Sequence, residues 1–218
     1  MKETTEGRGV VAILLAAGNA SRFGSAKQLV PIDGVSLVRR AAQAIVASGV
    51  ELLVVTGAYA EEVADALSGI PARLIHNPQW QQGMGESIAH GARELLGLSA
   101  LPSACLLCLA DQPLIGTAQL QRLLRAATDQ PQRIIASNHG KTPAGEILGP
   151  PCLFPAEFLG ELAQLSGAKG ARALLERHRQ RLTTLAMPEA ALDIDVPEDY
   201  ARALSLLADG VNPPRSPG

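Results

Sequence analysis

The sequence predicts an α/β protein built on a mostly parallel sheet with helices on both faces. Three observations carry this. Apolar runs of period two alternate along the chain with segments of period 3.6. The strand-like runs are apolar on both faces rather than on one, as strands buried under crossover helices are. Apolar residues make up 47% of the chain and aromatics only 3%, so Ala, Leu, Val and Ile must build the core.

The elements follow in order. Residues 10–15 are a run of β-formers ending at Ala16-Ala17-Gly18, a buried strand that opens into a loop of small residues. Residues 36–48 carry apolar side chains at helical spacing, with Ser36 as N-cap and Gly49 as stop. Residues 52–56 return to strand, 60–67 to helix, 72–76 to strand, 86–96 to helix, 104–110 to strand and 117–127 to a helix capped by Thr117. Further on, 133–137 and 182–187 read as strands, 155–165 and 170–181 as helices, and 197–208 as a terminal helix with Pro197 at its first position. Residues 139–151, rich in Gly and Pro, read as a surface loop, or as a lid if a site lies beside them. No repeat or linker interrupts the pattern, so residues 1–208 are expected to form one domain, with a frayed Pro- and Gly-rich tail at 209–218.

Composition excludes several functions. The chain has 218 residues with 19 basic and 21 acidic side chains, a net charge of −2 that argues against a general nucleic-acid surface. So few aromatics leave no platform for stacking single-stranded bases. The longest apolar stretches fall short of the roughly 18 to 20 residues of a membrane span. The polar, acidic N-terminus lacks the basic start and apolar middle of a signal peptide. Cys105, Cys108 and Cys152 cannot all pair within one chain, and the expectation is a cytoplasmic protein with reduced thiols.

Three segments carry chemistry. In Leu15-Ala16-Ala17-Gly18-Asn19-Ala20-Ser21-Arg22-Phe23-Gly24-Ser25-Ala26-Lys27-Gln28-Leu29 a strand gives way to a loop of small residues with two cations. Ligands of open α/β sheets bind beyond the carboxyl ends of strands, small residues let backbone N–H groups approach phosphate oxygens, and Arg22 and Lys27 add charge. The bland alternative is a glycine-rich turn with two solvated cations. The spacing is not that of a Walker P-loop, since the lysine follows three residues after Gly24, nor that of a dinucleotide fingerprint. A second strand ends in Ala110-Asp111-Gln112-Pro113, where Asp111 suits a hard cation such as Mg²⁺ or simply caps a turn. Late in the chain, Asp193 and Asp195 share one face of an extended segment; either could complete a metal site, and Asp195 could equally cap the terminal helix.

These motifs, taken with Asn77-Pro78-Gln79-Trp80-Gln81-Gln82-Gly83-Met84-Gly85-Glu86-Ser87-Ile88, Gly149-Pro150-Pro151-Cys152-Leu153-Phe154, Gly170-Ala171-Arg172 and Asp193-Ile194-Asp195-Val196-Pro197-Glu198-Asp199, resemble the molybdenum cofactor nucleotidyltransferases, and within them the cytidylyltransferases. The resemblance spans roughly residues 9–208. It implies a three-layer α/β/α, Rossmann-like nucleotidyltransferase fold with a mostly parallel mixed sheet. It further implies transfer of CMP from CTP to the terminal phosphate of molybdopterin, with release of pyrophosphate and Mg²⁺ as cofactor. A molybdenum hydroxylase or its chaperone would receive the product. Carried over at matching positions, Arg22 and Lys27 would bind phosphate oxygens and Ala16, Ala17 and Gly18 would give backbone contacts. Gly83, Gly85 and Ser87 would border base and sugar, and Asp111 would hold Mg²⁺ with Asp195. Guanylyltransferase relatives read Leu-Ala-Gly-Gly in the first loop, so alanine at position 17 points to CTP. Relatives often carry Gly-Asp where this chain has Gly167-Ala168, a departure that bears on the acceptor side. A transferase for a sugar or polyol phosphate, and a noncatalytic carrier of the cofactor, are the alternatives.

Other residues attract simpler expectations. Cys105 and Cys108, at i and i+3 on a strand, face opposite sides and read as buried filler rather than a redox or zinc pair. Arg177, His178, Arg179 and Arg181 read as a solvated basic helix end. Trp80 is either a packing anchor or a wall of the substrate cleft.

Overall fold

The computed structural model describes residues 8–19, 26–143 and 145–208. Arg22 and the expected tail at 209–218 lie outside the described residues. In chain order the elements are β1 (Arg8–Ala16), a small hairpin of β2 (Pro31–Ile32) and β3 (Val35–Ser36), α1 (Leu37–Ala47), β4 (Glu51–Thr56), α2 (Ala60–Ala66), β5 (Ala72–His76), α3 (Met84–Leu96), β6 (Pro102–Leu109), α4 (Thr117–Asp129), β7 (Ile134–Thr142), β8 (Gly145–Pro155), α5 (Leu159–Leu162), α6 (Arg172–Arg177), β9 (Leu182–Ala186) and α7 (Pro197–Ala208).

The main sheet has seven strands in the order β5-β4-β1-β6-β8-β7-β9. β8 runs antiparallel to both neighbours and the remaining pairings are parallel, so the sheet is mixed and mostly parallel. The two-residue period of β1 sorts its side chains. Val11, Ile13 and Leu15 pack with Ile88, Ala92 and Leu95 of α3 and with α5 and α6, while Ala12, Leu14 and Ala16 pack with Val38, Ala42 and Ile45 of α1 and Leu120 and Leu123 of α4. This is the expected α/β/α layering. α3 lies close on the sheet because position 91 is glycine: a Cβ there would stand 3.0 Å from two methyl carbons of Ile13. Cys105 and Cys108 fall in opposite layers, as their i, i+3 spacing requires.

A third apolar cluster joins Ile32 and Leu37 to Leu192, Ile194 and Ala203. Tyr200 Oη donates to Pro31 O at 2.6 Å, and Ile194 N donates to Asp111 O at 3.0 Å. The segment before α7 is thereby laid against the end of β6.

Several local expectations are corrected. The described residues of 139–151 form a hairpin rather than a surface loop: they belong to the β7–β8 ladder, which runs through Asn138↔Leu148, Gly140↔Ile147 and Thr142↔Gly145. Their Gly and Pro residues mark irregularities, not a missing strand. Gly140 sits at a register shift with φ +142°, and Pro150 and Pro151 fall between the pairs Ser137↔Gly149 and Ala136↔Cys152. Residues 155–165 give a 3₁₀ turn and the single-turn α5, and 170–181 give α6 from Arg172 followed by a 3₁₀ turn, because Gly167 and Gly170 take positive φ and break the helical run. Thr117 does not cap α4; Gly116 is the N-cap, its N–H bonded to Gln119 Oε1 at 3.2 Å. Ser36 is the N-cap of α1, as expected, but makes no side-chain cap bond. The basic helix end is not simply solvated: Arg177 and His178 meet Glu161, and Arg181 pairs with Glu157 over the Phe158 ring. Among the described residues no helix is long and apolar enough to cross a membrane.

Candidate functional site

The chain leaves β1 over one face of the sheet, through α1, toward β4 and β5, and returns through α3 on the other face to β6. The carboxyl ends of β1 and β6 therefore flank a topological switch point, where open α/β sheets bind ligands. A cleft of about 270 Å³ lies there. Leu15, Ala16, Ala17, Gly18 and Asn19 line it from β1, and Leu109, Ala110 and Asp111 from β6. Trp80, Gln81, Gly83, Met84 and Ser87 complete it from the turn before α3 and its first residues. Ala110 N donates to Leu15 O at 3.2 Å, which keeps the two strand ends together.

Lys27 is the centre of charge. Its Nζ is 2.6 Å from Asp111 Oδ2 and 2.7 Å from Asp195 Oδ1. Burial works against the ammonium, but the two carboxylates outweigh it and hold its pKa above the usual lysine value. Asp195 thus spends its side chain on Lys27, not on a helix cap; the backbone N–H groups of Asp195 and Val196 are bound instead by Asp199 Oδ2. A third carboxyl stands beside this pair. Asp193 is pushed up to about 7, first by burial, then by the charge on Asp111, against an opposing bond from Gln112.

The residues expected at the site divide. Ala16, Ala17, Gly18, Lys27, Gly83, Ser87 and Asp111 line the cleft, and Asp195 reaches its edge through Lys27. Gly85 stands behind the turn, where its N–H donates to Gly167 O at 2.8 Å. A Cβ at Gly83 would meet Gly167 O at 2.7 Å and one at Gly85 would meet Ser166 O at 2.5 Å, so both glycines are required by the close approach of residues 166–168. The position where relatives carry an acid, Ala168, is part of that backing. Trp80 serves both of its expected roles, since it packs on the core and walls the cleft. Its near face also abuts Gly57, where a Cβ would lie 2.8 Å from the indole.

Sequence reasoning passed over two residues and set a third below its neighbour. Gln28 is buried and donates from Nε2 to Gly18 O at 3.2 Å, pinning the first loop. Asn77 is buried behind the cleft, bonded to Ser87. Asp193 was outweighed by its neighbour Asp195. A polar residue inside an otherwise apolar or motif-bearing stretch was the available signal for Gln28 and Asn77.

The donor set fits a divalent cation. Two carboxylates already converge on one positive charge, and Asp111 Oδ1 is buried with no hydrogen-bond partner among the described residues. Those are hard oxygen donors of the kind Mg²⁺ and Mn²⁺ take. No group of three His, Cys, Asp or Glu among the described residues makes a closed metal site, so most ligands of such an ion would come from substrate or water. Cys105 and Cys152 are fully buried, their thiols pushed up to about 12, and Cys108 is raised as well by burial; none is a nucleophile or ligand.

An open α/β sheet with a cleft of about 270 Å³, a lysine and converging carboxylates at its switch point is the framework of a nucleotide-handling protein. Residues 12–182 match the model of the MobA-like NTP transferase domain, and the chain belongs to that family of nucleotidyltransferases. It is 29% identical over 202 residues to nicotine blue oxidoreductase of Paenarthrobacter nicotinovorans, covering 89% of this chain and 96% of that one. Among solved structures, a nucleotidyl transferase from Methanothermobacter thermautotroptrophicus superimposes with a TM-score of 0.77 at 26% identity, covering 94% of this chain and 100% of that one. The manganese complex of Rv0371c from Mycobacterium tuberculosis H37Rv gives 0.69 at 25% identity, covering 91% and 99%.

Proposed function

We propose that the protein is a molybdenum cofactor cytidylyltransferase, moving CMP from CTP to the terminal phosphate of molybdopterin and releasing pyrophosphate. The observation that carries this is Lys27 clasped between Asp111 and Asp195 beside the β1 loop. Family membership supports the reaction class, Ala17 supports CTP, and the motif set between residues 9 and 208 supports the acceptor. The Mycobacterium relative with manganese supports a divalent ion, here Mg²⁺, held by Asp111 and Asp195.

The chemistry needs no protein nucleophile. A phosphate oxygen of the acceptor forms a bond to the α-phosphorus of CTP as the bond to the β-phosphate oxygen breaks, and pyrophosphate leaves with that electron pair. The work of the protein is to bring two polyanions into line and to balance the charge on the leaving group. Lys27 and Arg22 supply that charge, each contact at about 4 Å being worth on the order of 4 kcal/mol at an effective dielectric of about 20, before desolvation. Backbone N–H groups of Ala17 and Gly18 approach the phosphates closely because nothing larger than a methyl stands there. When bound, Mg²⁺ would neutralise the phosphates further and fix their geometry.

A second reading follows from the relative named for nicotine blue, whose printed activity is redox. The carboxylate–lysine cluster favours phosphoryl chemistry. The test is an acceptor panel: CTP and Mg²⁺ with molybdopterin, a sugar phosphate or a polyol phosphate, following the cytidylylated product, with a parallel arm that follows the colour of nicotine blue under a reductant. Product from molybdopterin alone supports the proposal. Product from another phosphate, colour change alone, or nucleotide binding without turnover would replace it with the transferase, redox or carrier reading respectively.

A further inference from the structure

Asn77 is 1% exposed, and its amide is oriented by two bonds of opposite sense. Its Oδ1 accepts the backbone N–H of Gln79 at 2.9 Å. A backbone N–H can only donate, so the amide oxygen is fixed on that side and the amide nitrogen on the other. That nitrogen, Nδ2, stands 3.1 Å from Ser87 Oγ in a buried contact. An amide –NH₂ can only donate, so Ser87 Oγ accepts there, and its own proton remains to be given elsewhere.

Ser87 lines the cleft from the first turn of α3. The lining contributed with it is mostly apolar or backbone, Leu15, Ala17, Trp80, Gly83 and Met84, with Gln81 the other polar side chain from the same turn. The charged groups, Lys27 and Asp111, come from other elements. On the nucleotide reading, this division would send a triphosphate to the charged side and a flat heterocycle to the mostly apolar side, where the Ser87 hydroxyl is held in place by Asn77.

We infer that Asn77 is a specificity-positioning residue: by occupying one lone pair of Ser87 Oγ it favours the Ser87 hydroxyl as a donor toward the nucleobase, which selects a pyrimidine whose ring N3 accepts, cytosine, over one whose N3 carries a proton, uracil. The inference rests on the nucleotide reading of the cleft and adds to it the source of base polarity. A buried donor that meets another donor leaves both unpaired, which costs about 1–3 kcal/mol and so separates the two bases by about tenfold or more.

The decisive variant is Asn77→Asp, nearly isosteric. The carboxylate still accepts from Gln79 N and now also accepts the Ser87 proton, so Ser87 turns a lone pair to the cleft. Binding of CTP and of UTP to the full chain with Mg²⁺ is measured by calorimetry. The wild-type chain is expected to prefer CTP, and Asn77→Asp to lower the ratio of UTP to CTP dissociation constants by about tenfold. Ser87→Ala, which removes the hydroxyl and with it the buried acceptor of Asn77 Nδ2 but keeps the Gln79 N–H bond to Asn77, is expected to bring the ratio toward one and gives a second readout should Asn77→Asp fail to fold. Equal weakening of both nucleotides with the ratio unmoved in the folded variants, or a wild-type preference for UTP, overturns the inference while leaving the nucleotide site intact. A wild-type chain that binds neither nucleotide overturns both.

Discussion

Lys27 Nζ lies 2.6 Å from Asp111 Oδ2 and 2.7 Å from Asp195 Oδ1, so one ammonium is held between two carboxylates. The pairing joins residues 84 positions apart, brought together because the first loop follows β1 and Asp111 follows its neighbour β6. The proposed reaction sets a second demand on the same lysine: besides balancing the carboxylates it would have to meet phosphate.

Removing the lysine separates these demands. Lys27→Ala leaves Asp111 and Asp195 facing one another without a cation, so affinity for Mn²⁺ alone should rise about tenfold, while pyrophosphate release falls about 10²-fold. Electron paramagnetic resonance of free Mn²⁺ and a pyrophosphate assay give the two readings. Unchanged Mn²⁺ affinity contradicts the shared site.

The turn carrying Gly83 has no room for a side chain. Gly83 has φ +108° and an added Cβ would meet Gly167 O at 2.7 Å. Gly83→Ala should cost about 1–3 kcal/mol in urea unfolding, from strain and displacement of residues 166–168. A cost within error of zero would mean that the two segments are not packed as described.

His139 gives a stability change with pH. Its Nε2 donates to Pro150 O at 2.9 Å, and burial holds its pKa below the usual histidine value despite the Pro150 and Gly149 carbonyls. The folded state therefore binds its proton less readily than the unfolded state, whose value is about 6.5. Stability is unaffected above that pH and falls as pH drops below it. Melting temperature should decline more between pH 7.5 and 5.5 in the wild type than in His139→Gln. Parallel declines would show that the histidine protonates freely in place.

The three thiols should be silent. Cys105, Cys108 and Cys152 are buried with raised pKa values, so a thiol reagent at pH 8 should label none of them in the native chain and all of them in guanidinium. Rapid native labelling would contradict the burial of β6 and β8.

Much of this was legible in the chain because the central parallel strands β1, β4 and β6 are short, mostly apolar and buried runs. β1, β4, β5 and β6 lie where the period predicts, and their order places Ala17 and Asp111 side by side. The β7–β8 hairpin was not legible, since Gly140, Pro150 and Pro151 punctuate a strand at bulges with the same letters that punctuate a loop. Ion pairing was equally hidden. Arg181 with Glu157, or Lys27 with Asp195, depends on contacts across 24 and 168 positions that no local spacing encodes. For the same reason Asn77 and Gln28 emerge as site residues only once α3 and the first loop are folded against them.

Pyrophosphate release with Mg²⁺ and molybdopterin, measured separately with CTP, GTP, ATP and UTP in the wild type and in Asp111→Asn, tests the central claim most directly. The account predicts release with CTP alone and a loss of at least about 10²-fold in Asp111→Asn with an unchanged melting temperature. Release with none of the four, or equal release from Asp111→Asn, would contradict it.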